Sequence, residues 1–279
     1  MKRVGVIQMN SGDTLSANLA ALESGMAALH QQQVDIAVTP ENALLFSDQA
    51  AYQALAKQET EVFEQLSILC RRYKMGLVLG SFPTLAPRGK LHTTAVYFDS
   101  DGMEQGRYHK MHLFDVEVGD AHQHYRESDI YTAGESTTCV ASPLGKLGLS
   151  ICYDLRFGGL FEHLVAQGAQ VVTVSAAFTA VTGEAHWQTL LQARAIEQQV
   201  WIVASAQCGE HSQGRMTWGH SMVIDPWGRI VAQLSSQPGV IWAEIDDRML
   251  VETRSKMPVA SHRQWQAVLK NSSYKEKVK

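Results

Sequence analysis

The chain has 279 residues, 45% of them hydrophobic and 19% charged, a composition that fills a globular core and excludes a disordered chain. Lys and Arg total 24 against 28 Asp and Glu, a net charge of −4 with no long basic run, so no nucleic-acid partner is expected. No apolar run approaches the roughly 20 residues of a membrane span. The opening "MKRVGVIQMN" reads as a strand rather than a signal peptide, and the four cysteines lack CxxC spacing, so a reduced, cytoplasmic protein is expected.

Strand and helix patterns alternate along the chain. "KRVGVIQM" is a strand, followed by a helix pattern from Asp13, read as its N-cap, to about Gln33. "VDIAVTP" is a strand that Pro40 stops. "TEVFEQLSILCRRYK" is an amphipathic helix with Val62, Leu66, Ile68 and Leu69 near one face, and "MGLVLGSF" is the next strand. "TTAVYFDSDGMEQGRYHK" is a hairpin turning at Asp-Ser-Asp-Gly. The second half repeats the plan: strand "KLGLSICYD", helix "GGLFEHLVAQG", strand "AQVVTVSAAF", helix "EAHWQTLLQARAIEQQV", strand "WIVASAQC" and a hairpin turning at Pro-Trp-Gly. The long helix carries Trp187, Leu190, Leu191 and Ile196, a core stripe first and a dimer surface second. "MLVETRSKMPVA" is long enough to reach a partner subunit, and the tail "NSSYKEKVK" is polar and frayed. Apolar strands joined by helices imply sheets covered by helices, here two equivalent sheets face to face in one domain.

Chemistry-bearing residues fall at strand ends. Cys152 in "SICYDLRF" closes an apolar strand just before a Gly-Gly helix start, where unpaired N–H groups can hold an oxyanion and favour a thiolate. A buried, inert cysteine is the plain alternative, and it describes Cys70, Cys139 and Cys208. None of the 11 histidines sits in an evident catalytic setting, so the base is sought among carboxylates. Glu41 follows a buried strand and precedes the apolar "NALLF", a costly place for an idle carboxylate; a helix-start acid is the alternative. Lys110 ends the first hairpin, as a fixed cation or as a surface lysine.

"TPENALLF", "YHKMHLFDVEV" and "GLSICYDLRF" resemble the three motif regions of the nitrilase, or carbon–nitrogen hydrolase, superfamily. "SAAFTAVTGEAHWQTLLQARAIEQQVWIVASAQCG" and "GRMTWGHSMVIDPWG" are similar to its Nit branch, especially to amidases of deaminated glutathione. The resemblance covers nearly the whole chain. It implies a four-layer αββα sandwich in a single domain over residues 1–279, with an extended tail from about 258, and a homodimer joined through a helix layer. It implies a Glu–Lys–Cys triad of Glu41, Lys110 and Cys152, with Glu127 supporting. Departures are His109, where relatives often have arginine, and Gly158–Gly159 in "FGGLF".

The implied reaction is amide hydrolysis through a cysteine thioester, with ammonia leaving first. Glu41 moves the proton, and Lys110 and the backbone N–H of Tyr153 hold the oxyanion. Arg156, about one turn past Cys152, is the candidate for a substrate carboxylate, as against an ion pair with Asp154. Phe178 and Thr179 are candidate pocket residues. This suits a small 2-oxo-acid amide, deaminated glutathione first, as a metabolite-repair activity. An ω-amidase acting on 2-oxoglutaramate, another amidase or carbamoyl hydrolase, or an acyl transferase stand as alternatives. Further off lie a non-catalytic binding protein and a metalloprotein built on His109, His112, His122 and His124. No cofactor is implied, since neither a G-x-G-x-x-G nor a phosphate loop occurs.

Overall fold

The structure, a computed structural model, describes residues 2–119 and 124–264. In chain order the strands that build its two large sheets are β1 (Lys2–Gln8), β2 (Ile36–Val38), β3 (Gly76–Leu85), β4 (Leu91–Phe98), β5 (Glu104–His109), β6 (Cys139–Ser142), β7 (Gly145–Ile151), β8 (Val171–Ala176), β9 (Trp201–Ala206), β10 (Met222–Ile224), β11 (Ile230–Gln233) and β12 (Gly239–Ile245). One six-stranded sheet has the order β12-β1-β2-β3-β4-β5 and the other β6-β7-β8-β9-β10-β11. The two follow one plan. A parallel trio (β1-β2-β3 or β7-β8-β9) continues into an antiparallel hairpin, and an antiparallel strand flanks the other side. The two hairpin turns also match: the side chains of Asp99 and Asp225 each accept two backbone N–H groups across the turn.

Alternation sorts the first sheet into two faces. Val4, Val6, Ile36, Val38 and Val78 share a core with the second sheet, while Ile7, Ala37, Leu77 and Leu79 pack under helices α1 (Leu15–His30) and α3 (Glu59–Tyr73), between which lies α2 (Gln49–Ala56). The second sheet is covered by α4 (Gly158–Ala166) and α5 (Ala180–Gln198), which bury Phe161, Leu164, Trp187 and Leu191. The result is the helix–sheet–sheet–helix stack expected. Across its middle the Ser205 hydroxyl donates to the Ile7 carbonyl at 2.7 Å.

Local readings need three corrections. The N-cap of α1 is Thr14, not Asp13, because the Asn18 side chain closes the preceding turn on both the N–H and the carbonyl of Gly12. Ile68 is 42% exposed: at 100° per residue it points away from the face of Val62, Leu66 and Leu69. On α5, Trp187 and Leu191 are buried, but Ile196 faces outward at 46% exposure. Near the C-terminus a short helix spans Val259–His262, and "NSSYKEKVK" lies outside the described residues.

One glycine fixes where the site begins. A Cβ at Gly80 on β3 would lie 2.3 Å from the carbonyl oxygens of both Thr39 and Pro40, the segment leading to Glu41. The Gly80 N–H also donates to the Thr39 hydroxyl at 2.9 Å. Backbone cannot give way as a side-chain tip can. Gly80→Ala is expected to cost about 1–3 kcal/mol of stability, read from urea unfolding, and to displace Glu41 so that activity falls with it.

Candidate active site

Glu41, Lys110, Glu127 and Cys152 line one cavity of about 260 Å³ at the strand ends. Glu41 follows β2. Its backbone is held by bonds to both sheets: the Gln207 side chain, just after β9, donates to the Glu41 carbonyl at 3.0 Å, and the next residue, Asn42, donates from its N–H to the Ser81 hydroxyl at 2.7 Å. Lys110 follows β5, its N–H donating to the Thr93 carbonyl at 2.9 Å and its carbonyl accepting from Gly134 at 2.8 Å. Glu127 opens a short 3-10 turn.

Cys152 stands on a strained elbow. It is the first residue past β7, at φ +48°, a region that residues with a Cβ seldom occupy, and it opens a 3-10 turn, Cys152–Arg156, ahead of α4. Asp154, which sequence reasoning considered only as an ion-pair partner for Arg156, fixes this elbow. Its Oδ2 accepts from Ile151 N–H at 2.9 Å and from the Tyr108 hydroxyl at 2.8 Å, and its Oδ1 meets His112 Nδ1 at 2.7 Å. Asp154 is fully buried. With its oxygens so engaged, the Asp154–Arg156 pair is not formed. The chain from Tyr108 to His112 that carries Lys110 is thereby tied to the elbow that carries Cys152.

The charges are packed together away from water. Lys110 is 2% exposed and its Nζ donates to Glu41 Oε1 at 2.9 Å and to the two oxygens of Glu127 at 3.0 and 2.9 Å. Glu127 also accepts from Phe114 N–H at 2.6 Å. The other Glu41 oxygen accepts from Ala177 N–H at 3.0 Å, and the Cys152 thiol acts on the Glu41 carboxylate from the same cavity. Burial pushes the Glu41 carboxyl up, but Lys110, the thiol and Arg215 outweigh it and leave its pKa below the ordinary value of 4.5. Burial pulls Lys110 down, and Glu127 and Glu41 carry it well above its usual value. Burial, then the charge of Glu41, hold the Cys152 thiol well above 9.0, against the pull of Lys110. A helix start does not favour a thiolate here, since α4 begins only at Gly158, and the raised Cys152 pKa agrees with Glu41 as the acceptor of a thiol proton.

The remaining candidates are spread around this centre. Tyr153 is the second residue of the 3-10 turn, where an N–H has no partner within the helix. Arg156 lies over the Phe178 ring at 5.5 Å and 3.3 Å from His186 Nδ1. Phe178 and Thr179 border the cavity, but the Thr179 hydroxyl is also the N-cap of α5, accepting from Thr182 N–H. The histidines do not converge. His109 bonds Thr94 and stacks on His92, His112 is committed to Asp154, and His124 is exposed near Glu117; His122 lies outside the described residues. Among the described residues no group of three or more His, Cys, Asp or Glu is arranged for a metal. Sequence reasoning passed over Arg215, which lines the cavity between the rings of Phe46 and Tyr125.

Two helix-covered sheets with a buried Glu–Lys–Cys cluster at their strand ends define the αββα hydrolases that cleave carbon–nitrogen bonds. The carbon–nitrogen hydrolase family model matches residues 3–255, and the chain belongs to that family. A deaminated glutathione amidase of Yersinia enterocolitica is 43% identical over 263 residues, 93% of this chain and 92% of that one. Another, from Synechocystis sp. (strain PCC 6803 / GT-S), is 40% identical over 262 residues, 92% of this chain and 96% of that one. The crystal structure of Caenorhabditis elegans NitFhit is similar with a TM-score of 0.89 at 37% identity, over 95% of this chain and 66% of that one. That of Saccharomyces cerevisiae Nit3, a member of branch 10 of the nitrilase superfamily, has a TM-score of 0.83 at 28% identity, over 92% and 94%. The protein is an enzyme that hydrolyses linear amides.

The charge coupling has a measurable consequence. Glu41→Gln removes the anion that raises the Cys152 pKa, so thiolate absorbance at 240 nm is expected to titrate at lower pH than in the unsubstituted protein. Subtracting the Cys152→Ala titration isolates this thiol from Cys70 and Cys208, which burial raises to about 12 and about 11. An unchanged midpoint contradicts the coupling.

Proposed function

We propose that the protein is an amidase of small 2-oxo-acid amides, deaminated glutathione first, working as one hydrolase domain through a thioester on Cys152. The observation that carries this reading is the buried Glu41–Lys110–Glu127 cluster that shares one cavity with Cys152 on its strained elbow. Glu41 accepts the thiol proton as sulfur attacks the amide carbon, so no free thiolate has to form in the resting site. The oxyanion is met by Tyr153 N–H and by Lys110. A lysine has three N–H donors, and here all are in use, so one of the two bonds to Glu127 shifts to the oxyanion as it forms. Glu41 then hands its proton to the leaving nitrogen as the C–N bond breaks. Water attacks the thioester with Glu41 again as base, the acid departs, and the proton returns to sulfur. From 2-oxoglutaramate the leaving group is ammonia. The expectation of ammonia as first leaving group does not hold for deaminated glutathione, whose scissile nitrogen belongs to a substituted amide, so a dipeptide amine leaves there. Arg156 takes the 2-oxo acid carboxylate, with Phe178 and Thr179 forming the wall beside it.

The relatives named deaminated glutathione amidase support the substrate. The four unpaired cysteines suit a reducing, cytoplasmic setting. Val181 and Ile196 on α5, with Trp227 in the neighbouring hairpin turn, are 49%, 46% and 56% exposed, an apolar face that suits a homodimer joined through the helix layer. The described helices include none long and apolar enough to cross a membrane.

Formation of the common 2-oxo acid product from deaminated glutathione and from 2-oxoglutaramate, with Cys152→Ala as control, tests the reading. The expected result is Cys152-dependent turnover with higher kcat/KM for deaminated glutathione; preference for 2-oxoglutaramate makes the enzyme an ω-amidase, and no turnover of either overturns the substrate class. Arg156→Lys is expected to raise KM for 2-oxo-acid amides about tenfold or more while changing neutral amides little. The pH profile follows from the two shifted groups. Lowering of Glu41 places the acid limb of kcat/KM below pH 4.5, and raising of Cys152 places the alkaline limb above pH 9.0. Limbs inside that interval contradict the assignment.

A further inference from the structure

Among the described residues Arg215 has no carboxylate partner. It follows a 3-10 turn (Ser212–Gly214) and reaches back into the cavity beside Glu41. Its guanidinium is clamped between Phe46 at 5.0 Å and Tyr125 at 5.2 Å, and one Nη donates to the Ala177 carbonyl at 3.1 Å. Its Nε is buried and makes no hydrogen bond among the described residues, and no described carboxylate forms an ion pair with it. A guanidinium has five donors in a planar fork. Holding that fork rigid and partly dry with a single carbonyl partner is unfavourable unless something else arrives. A structural arginine would be expected to end on a carboxylate or several carbonyls, as Arg254 does on the carbonyls of Gln199 and Ala169.

The side of the cavity it occupies says which part of a substrate it meets. The positive charge of Arg215 acts on Glu41, the group that protonates the leaving nitrogen. Arg156 has different anchors, over Phe178 and beside His186. Chain lying beyond the leaving nitrogen therefore runs along the Glu41 wall towards Arg215, while the acyl portion runs towards Arg156. We infer that Arg215 is a specificity-determining residue that binds a carboxylate on the leaving group, so that the preferred substrates are linear amides with one carboxylate on each side of the scissile bond. The inference rests on the proposed amidase reaction and on Arg156 as the acyl-side anchor, and it gives the site a means to separate long dianionic amides from short monoanionic ones.

The test compares wild type with Arg215→Met, which keeps bulk and stacking without charge, and with Arg215→Lys, which keeps the charge without the fork. Three substrates are used: deaminated glutathione, the same compound with its terminal carboxylate converted to a carboxamide, and 2-oxoglutaramate. Arg215→Met is expected to raise KM for deaminated glutathione roughly 10–100-fold, the worth of a charge-assisted pair, with Arg215→Lys intermediate. The two substrates lacking a leaving-group carboxylate change less than about threefold in KM. Because Arg215 also lowers the Glu41 pKa, its loss moves the acid limb of kcat for all three alike, and that common shift separates the electrostatic effect from recognition. Equal KM changes for all three overturn the inference. Should wild type turn over none of them, the amidase reading falls, and Arg215 is judged by protection of Cys152 from iodoacetamide. Linear dicarboxylates then protect wild type better than monocarboxylates, and Arg215→Met abolishes the difference; no difference in wild type overturns the inference independently of turnover.

Discussion

A lysine buried between two carboxylates is the constraint on which this site depends. Each ion taken out of water costs several kcal/mol, and removing one partner of such a cluster costs about 3–5 kcal/mol because the others are left uncompensated. Lys110 meets that cost with three short bonds to Glu41 and Glu127, and so both carboxylates must stay where they are. The cluster also fixes where the proton rests. A cysteine beside an imidazolium or a helix N-terminus is driven to the thiolate. Cys152 is instead pushed towards the thiol by burial and the charge of Glu41, against a Lys110 already shared between two carboxylates. In the proposed reaction the acceptor is poised, and the proton moves only as a carbon–sulfur bond forms.

The two-sheet plan explains how residues so far apart in sequence come within bonding distance. Glu41 leaves the first sheet after β2 and Cys152 leaves the second after β7, both at the carboxyl ends of parallel strands where side chains meet in a crevice. Second-sheet residues then hold the first-sheet carboxylate: Ala177 after β8 donates to its side chain and Gln207 after β9 to its backbone. Neither sheet alone contains a working constellation. The sandwich interface, closed by Val4, Val6, Ile36 and Val38, is the fixture that sets the distance between base and thiol.

How far the sequence reveals this follows from the range of each interaction. Strands announced themselves as short apolar runs stopped by Pro40 or by polar turns, and their ends drew notice to Glu41, Lys110 and Cys152. The hairpin turns were legible because Asp99 and Asp225 act within four residues of themselves. Boundaries failed where a distant side chain replaced the local rule, as when Asn18 rather than Asp13 closed the entry to α1. The helix-start influence on Cys152 failed for the same reason: α4 begins only at Gly158, and the charge that acts on the thiol is that of Glu41 across the sandwich. Asp154 and Arg215 carry no spacing signal at all. Asp154 acts through Tyr108, 46 positions away, and Arg215 takes its meaning from Phe46 and Tyr125, which approach it only in the folded chain.

Charge balance ties the binding residues to the chemistry. A catalytic centre with Glu41 and Glu127 around one lysine carries excess negative charge in a dry cavity, and an anionic substrate entering it is repelled unless cations lie along its path. Arg156 on the elbow and Arg215 beside Glu41 provide them, Arg156 over the Phe178 ring and Arg215 over the rings of Phe46 and Tyr125. The same two arginines thus answer two demands. They offset the carboxylates of the centre, and in the proposed reaction they would also meet the carboxylates of an acidic amide. On the proposed reaction, specificity for acidic amides would follow from the electrostatics of the reaction centre, because neutralising the approach to a carboxylate base and recognising an acidic substrate are met by the same cations.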